Sequence, residues 1–205
     1  MNTSASAIQV ASELHVRQVR ELAELFGFET RNKYEISSPE LGQIAFAAEQ
    51  QKGVLGFLLR QVLGHWRPFE IHFMGPDRRP VLRAVHPFRF FFQRLEVYDV
   101  AGRLMGALQQ RFAFFQKRFD VLGPDGRVLL EMKSGFFRIW SFPFFRGGEQ
   151  VAVIEKKWSG GLTELFTDKD RFRVLFTGTL TAEEKQLIAA AAIFVDLQYF
   201  EKKAS

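Results

Sequence analysis

The chain has 205 residues, 47% hydrophobic and 25% charged, which suits one domain with a substantial core and excludes a disordered or fibrous class. It contains no cysteine, so disulfides, thiolate metal sites, a cysteine nucleophile and a palmitoyl anchor are all excluded. The net charge of +5 is uneven: residues 60–146 hold 15 Lys and Arg against 7 Asp and Glu. Such a region is either a set of solvated strand faces or a basic surface for an anionic partner. The 24 phenylalanines suit strands and a thick core, and also an apolar interface. The first residues, MNTSASAIQVASELHVRQ, lack a basic segment followed by an apolar one, so no signal peptide is expected. The expected location is cytoplasmic, peripheral at the inner membrane face.

Residues 1–12 read as a short polar tail, and 13–205 as a single domain. Leu14–Val19 suits a first strand, while Arg17–Phe26 suits a helical turn or two, and the pattern leaves both open. Tyr34–Ser37 and Gln43–Ala48 flank a Ser-Pro-Glu-Leu-Gly turn, a hairpin cue. Val54–Leu63 is apolar enough for a short helix or a membrane-facing segment, although Gly53, Gly56 and Gly64 weaken a helix. Phe69, Ile71 and Phe73 then alternate with Glu70 and His72, the period of a half-buried strand. Short runs separated by turn residues follow: 81–85, 88–98, 104–110, 118–122, 128–132, 136–142, 151–155 and 172–176. The count is about twelve antiparallel strands.

The last stretch, Thr181–Phe200, differs from all of these. Thr181 with Glu184 is a capping box, which starts a helix by satisfying backbone N–H groups that have no helical partner. Leu187–Val195 is apolar on every side, so the helix needs burial all round. A membrane span takes about 20 apolar residues. Here Lys185 and Asp196 bound a shorter run, and a central aspartate costs about 2.5–3.5 kcal/mol in a bilayer. Burial inside protein is therefore expected, with Leu187, Ala190, Phe194 and Asp196 on the buried helix and Ala189–Ala192 as a narrow waist. The fold expected is a mainly β, closed antiparallel barrel of about twelve strands around this C-terminal helix.

Catalytic patterns are thin. His15, His65, His72 and His86 lack the spacing of a zinc site, and neither a Gly-x-Ser-x-Gly elbow nor a phosphate-binding glycine loop is present. Asp196 reads as a hydrogen-bonded acid of the core. Two aromatic and basic clusters stand out, at 86–94 and 136–146. If Phe88–Tyr98 is a strand, Phe90 and Phe92 share one face and Phe91 takes the other, so a large apolar group is exposed beside arginine. Core packing is one explanation. The other is a lipid interface with Phe91 and Trp140 below the headgroups and Arg89, Arg94, Arg138 and Arg146 on the phosphates. The expected partner is an anionic phospholipid membrane surface; nucleic acid is the alternative, since the same groups suit phosphates and bases, and a soluble protein- or ligand-binding module is a third.

The strings Asn32-Lys33-Tyr34-Glu35-Ile36, Phe46-Ala47-Ala48-Glu49, Arg67-Pro68-Phe69, Leu95-Glu96-Val97, Lys157-Trp158-Ser159-Gly160 and 164–172, with Phe194-Val195-Asp196 through Glu201, occur in an order that resembles phospholipid scramblases. The resemblance covers about Leu14 to Glu201 and is to a compact, bacterial-type member, related to tubby-like and LURP-one-related proteins. It implies a twelve-stranded barrel around a hydrophobic C-terminal helix, no enzyme chemistry, and phospholipid binding with calcium-stimulated, ATP-independent movement between leaflets. Tubby-like domains imply phosphoinositide binding. Calcium is the one cofactor implied, through Asp168–Thr179, which keeps Asp168 and Asp170 but departs at Phe172, Phe176 and Thr179 and adds Arg171 and Arg173. Read without an ion, the segment is an acidic turn entering a strand.

Overall fold

A computed structural model describes residues 3–19, 30–50, 68–114, 116–135, 140–157 and 171–200. Twelve strands follow a short helix α1 (Thr3–Val10): β1 (Glu13–Val19), β2 (Thr30–Ser38), β3 (Gly42–Gln50), β4 (Phe69–Met74), β5 (Pro80–His86) and β6 (Arg94–Asp99). Then come β7 (Leu104–Arg111), β8 (Gln116–Leu122), β9 (Val128–Gly135), β10 (Ser141–Arg146), β11 (Glu149–Lys157), β12 (Arg171–Phe176) and the helix α2 (Ala182–Tyr199). Each strand pairs antiparallel with its chain neighbour, and β1 pairs with β12 to close the barrel. Closure leaves no sheet edge to recruit another chain. The expected mainly β barrel of twelve strands around a C-terminal helix is the fold observed.

Alternation builds the wall. In β4, Phe69, Ile71 and Phe73 are buried while Glu70, His72 and Met74 are half-buried on the outside. The lumen holds α2. Its capping box forms: Glu184 N–H donates to Thr181 Oγ1 at 3.2 Å, and Thr181 N–H donates to Glu184 Oε2 at 2.8 Å. Leu187, Ala190, Phe194 and Asp196 are all enclosed. The Phe194 ring lies edge-on to Phe119 at 5.8 Å, and burying such a side chain contributes roughly 1.5–3 kcal/mol. Tyr34 on β2 donates to Asp196 Oδ2 at 2.8 Å, which supplies that buried carboxylate with a hydrogen bond.

Several expectations are corrected. Residues 1–12 are not simply a polar tail: α1 places Ile8, with Ala11 just after it, in the core against α2, and Lys185 Nζ donates to Ala11 O at 2.8 Å. So few apolar residues give no periodic signal. Of the two readings left open near the start, the strand over Leu14–Val19 is the one observed, within β1, while 20–26 lie outside the described residues. The strand expected over Phe88–Tyr98 starts only at Arg94, because the chain bends over 87–93 and Phe92 takes φ 53°. Phe90, Phe91 and Phe92 therefore do not alternate between two faces; all three are exposed. The 54–63 segment lies outside the described residues, as does Phe136–Ile139, and β10 begins at Ser141.

Strand direction gives the barrel two unlike ends. At one end lie the tight turns 39–41, 75–79, 100–103, 123–127 and 147–148. Three of them share a construction in which Asp77, Asp99 and Asp125 accept from the N–H groups of Arg79, Arg103 and Arg127. Each aspartate is also ion-paired with that arginine, so this end carries neutralised pairs. The described connections 87–93 and 112–114, with Trp140, lie at the opposite end, which we call the open end. The C-terminus of α2 arrives there too.

Candidate functional site at the open end of the barrel

Two neighbouring connections at the open end carry every exposed phenylalanine among the described residues: Phe88, Phe90, Phe91 and Phe92 in one, Phe112 and Phe114 in the other. Phe91 is 80% exposed and Phe114 84%. Within each connection two rings meet edge to face, Phe88 on Phe90 at 4.8 Å and Phe112 on Phe114 at 4.9 Å. Arg89 is exposed among them. Scattered apolar residues on a surface are ordinary, whereas a contiguous set marks an interaction site.

Gln93 ties the 87–93 connection from beneath to β7, the strand from which the other connection leaves. Its backbone N–H donates to Gln110 Oε1 at 2.9 Å, and its carbonyl accepts from Gln110 N–H at 2.8 Å. Its side-chain oxygen accepts from His86 Nε2 at 2.7 Å, and its Nε2 donates to Arg89 O at 3.3 Å. Gln109 Nε2 donates to Phe92 O at 3.1 Å. His86, stacked on Phe69 at 4.6 Å, is fully buried. This framework over-determines Phe92 in the left-handed region, which costs a bulky residue on the order of 1–3 kcal/mol.

Next to these loops, the end of α2 is ringed by aromatics and two lysines. Trp140 stacks on Phe200 at 5.2 Å. Lys117 Nζ lies 3.7 Å from the Tyr199 ring centre, and Lys156 Nζ lies 4.0 Å from that of Phe200. A ring face attracts an ammonium, so these aromatic rings suit the two lysines beside them. Burial pushes the Tyr199 phenol up, and it keeps its proton at all ordinary pH.

The residues singled out from the sequence are therefore split. Arg89 and Phe91 lie together at the exposed tip. Trp140 is at the same end but half-buried beneath it. Arg94 lies on the barrel wall, donating to Glu96 at 2.8 Å and Gln109 at 3.3 Å. Burial pushes Glu96 up, but hydrogen bonds from Tyr98 and Arg94 outweigh it and hold the carboxyl below its usual range. Arg146 sits at the turn end, ion-paired with Glu184 and donating to Thr179 O at 2.9 Å. It serves the start of α2 and is remote from the aromatic tip. Arg138, Asp168 and Asp170 lie outside the described residues. Phe112, Phe114, Lys117 and Lys156 were missed, although Arg111-Phe112-Ala113-Phe114-Phe115 repeats the composition of 89–92.

The calcium segment does not fit an ion-binding loop. From Arg171 onward it is β12, paired with β1 and β11, and Phe172 and Val174 point into the core. A calcium loop needs a side-chain oxygen where Phe172 stands, at its fifth position. Among the described residues no group of three or more His, Asp and Glu could hold a metal. Nor is any described helix long and apolar enough to cross a membrane, a statement that does not extend to strands.

Human phospholipid scramblase 2 is 31% identical to this chain over 205 residues, covering 91% of it and 66% of the human protein. Human phospholipid scramblase 1 is 30% identical, covering 96% of this chain and 65% of its own length. A phospholipid scramblase family protein of Schizosaccharomyces pombe is 24% identical over 93% of this chain and 54% of that one. The chain thus spans about two thirds or less of these relatives. A crystal structure of an Arabidopsis thaliana protein matches with a TM-score of 0.51 and 12% identity over 96% of both chains, a likeness of fold. The Scramblase family model matches residues 1–202, and the chain belongs to the Scramblase family.

Proposed function

We propose that the protein is a phospholipid-scramblase-like protein that binds membrane phospholipid and promotes its ATP-independent movement between leaflets. The observation that carries this reading is the family match along essentially the whole chain. The basic, aromatic open end supports it, because rings suit the acyl boundary and cations suit the phosphate plane. Attachment is peripheral in this reading, at the inner membrane face, since α2 is occupied as the barrel's core. The reading assigns no catalytic residue and no step to calcium. For nucleic acid, no feature favours bases over lipid.

The test is a proteoliposome assay with fluorescent phospholipid in both leaflets and a membrane-impermeant reductant. Purified protein is expected to carry inner-leaflet lipid to the outer leaflet, where the reductant bleaches it, faster than in empty vesicles and without nucleotide. Identical bleaching with and without protein would overturn the proposed lipid movement.

A further inference from the structure

We infer that the connections 87–93 and 112–114 form one preorganised wedge that inserts into an anionic phospholipid bilayer, with Phe91 and Phe114 at its tip and Arg89 at the phosphate plane. This rests on the membrane reading above and specifies which surface carries it. Six phenylalanines on loop tips would be a liability in water unless something covers them. Their placement selects a bilayer as the occupant. Phe91 and Phe114 are 80% and 84% exposed, Phe88 with Phe90 and Phe112 with Phe114 are ordered as edge-to-face pairs, and rings standing this far out in solvent suit a fluid acyl layer more than a fixed protein pocket. Charge agrees: residues 86–94 and 109–118 contain Arg89, Arg94, Arg111, Lys117 and Arg118 and no Asp or Glu. Arg94, Arg111 and Arg118 find acids on the strands, at Glu96, Asp120 and Glu131, while Arg89 stays exposed between the rings. An anionic headgroup layer complements that distribution.

The wedge is also rigid before it meets a membrane. Gln93 is buried, and its backbone and side-chain hydrogen bonds tie the 87–93 connection to His86 and to Gln110 near the end of β7, the strand from which 112–114 leaves. Ordering that is already complete in the free protein is not charged against binding. At the opposite end the exposed large apolar residues among those described are Val10, Leu41, Val100 and Val128, aliphatic side chains on α1, two turns and the start of β9, with no exposed phenylalanine and with paired Asp and Arg side chains on three of the turns. The inferred orientation therefore sets the barrel axis across the membrane plane, open end down.

The absence of native cysteine makes the test direct. Phe91→Cys and, at the far end, Val100→Cys each give a unique site for an environment-sensitive fluorophore on the full chain. With phosphatidylcholine vesicles containing phosphatidylserine, the label at 91 is expected to shift to the blue and be quenched by lipids brominated in their acyl chains. The label at 100 is expected to do neither. Separately, Phe91→Ala with Phe114→Ala is expected to weaken vesicle partitioning at least about tenfold at unchanged melting temperature, and Arg89→Glu to lower the preference for phosphatidylserine. Wild-type binding with position 91 still in water, and no effect of the alanines, would overturn the wedge while leaving the membrane reading intact. Failure of the wild type to bind any vesicle would overturn both. A lipid-free dimer dissolved by the alanine pair would assign the rings to self-association and overturn the inference.

Discussion

Glu13 and Arg173 form a bidentate pair across β1 and β12, the strands whose meeting closes the barrel, with Nε–Oε1 at 2.6 Å and Nη2–Oε2 at 2.7 Å. The hydrogen bond from Arg173 holds the Glu13 carboxyl at about 2 instead of 4.5, against the opposing effect of burial and with help from His15. In the unfolded chain that carboxyl takes up its proton near 4.5; in the fold it resists until about 2. The pair therefore stabilises the barrel above pH 4.5 and loses that contribution as pH falls from 4.5 toward 2. Glu13→Gln is expected to flatten the acid limb of the stability curve in this window, read by urea unfolding at several pH values; an acid limb of unchanged slope would refute the assignment. Nothing adjacent in sequence reveals this pair, since its members are 160 positions apart. Thr181 and Glu184 were legible because a capping box is completed within one turn.

Among elements, the strands were legible where alternation and turn residues coincide, as in β4 and the Gly-Pro-Asp turns on either side of the chain's middle. The run 88–93 was not, because successive phenylalanines satisfy any period; what decides its path is Gln93 bonding to His86 and Gln110, contacts made only once the sheet is closed. The fit of α2 against β7 was equally hidden. A Cβ placed on Gly106 would lie 2.3 Å from Leu122 O and 2.9 Å from Leu187 Cδ1, so strand and helix approach here with no room for a methyl group. The Leu187 contact can ease by rotation, but the backbone oxygen of β8 cannot move without disturbing the wall. Gly106→Ala is expected to cost about 1–3 kcal/mol by overpacking, measured by chemical denaturation. Equal stability of the variant would show that the wall yields more readily than a closed ladder should.

At the scale of the whole molecule, membrane work and the position of α2 are separate questions, and one experiment joins them. A helix apolar on all sides suits a bilayer as well as a barrel lumen; what favours the lumen is that twelve strands already enclose it and that Asp196 receives Tyr34 there. Leaving would strip the barrel of its core, from Leu187 through Phe194, and would carry Asp196 away from its donor. The wedge has no need of such a release, because its rings are exposed in the closed barrel. Ala190, fully buried at the waist, reports on the choice: in the otherwise cysteine-free chain, Ala190→Cys is expected to resist a thiol reagent equally with and without anionic vesicles. Phe91→Cys reacts readily in water and is expected to be protected by those same vesicles. Opposite behaviour, with position 190 reacting once vesicles are added, would mean that the barrel opens to bind and that α2 is what enters the bilayer.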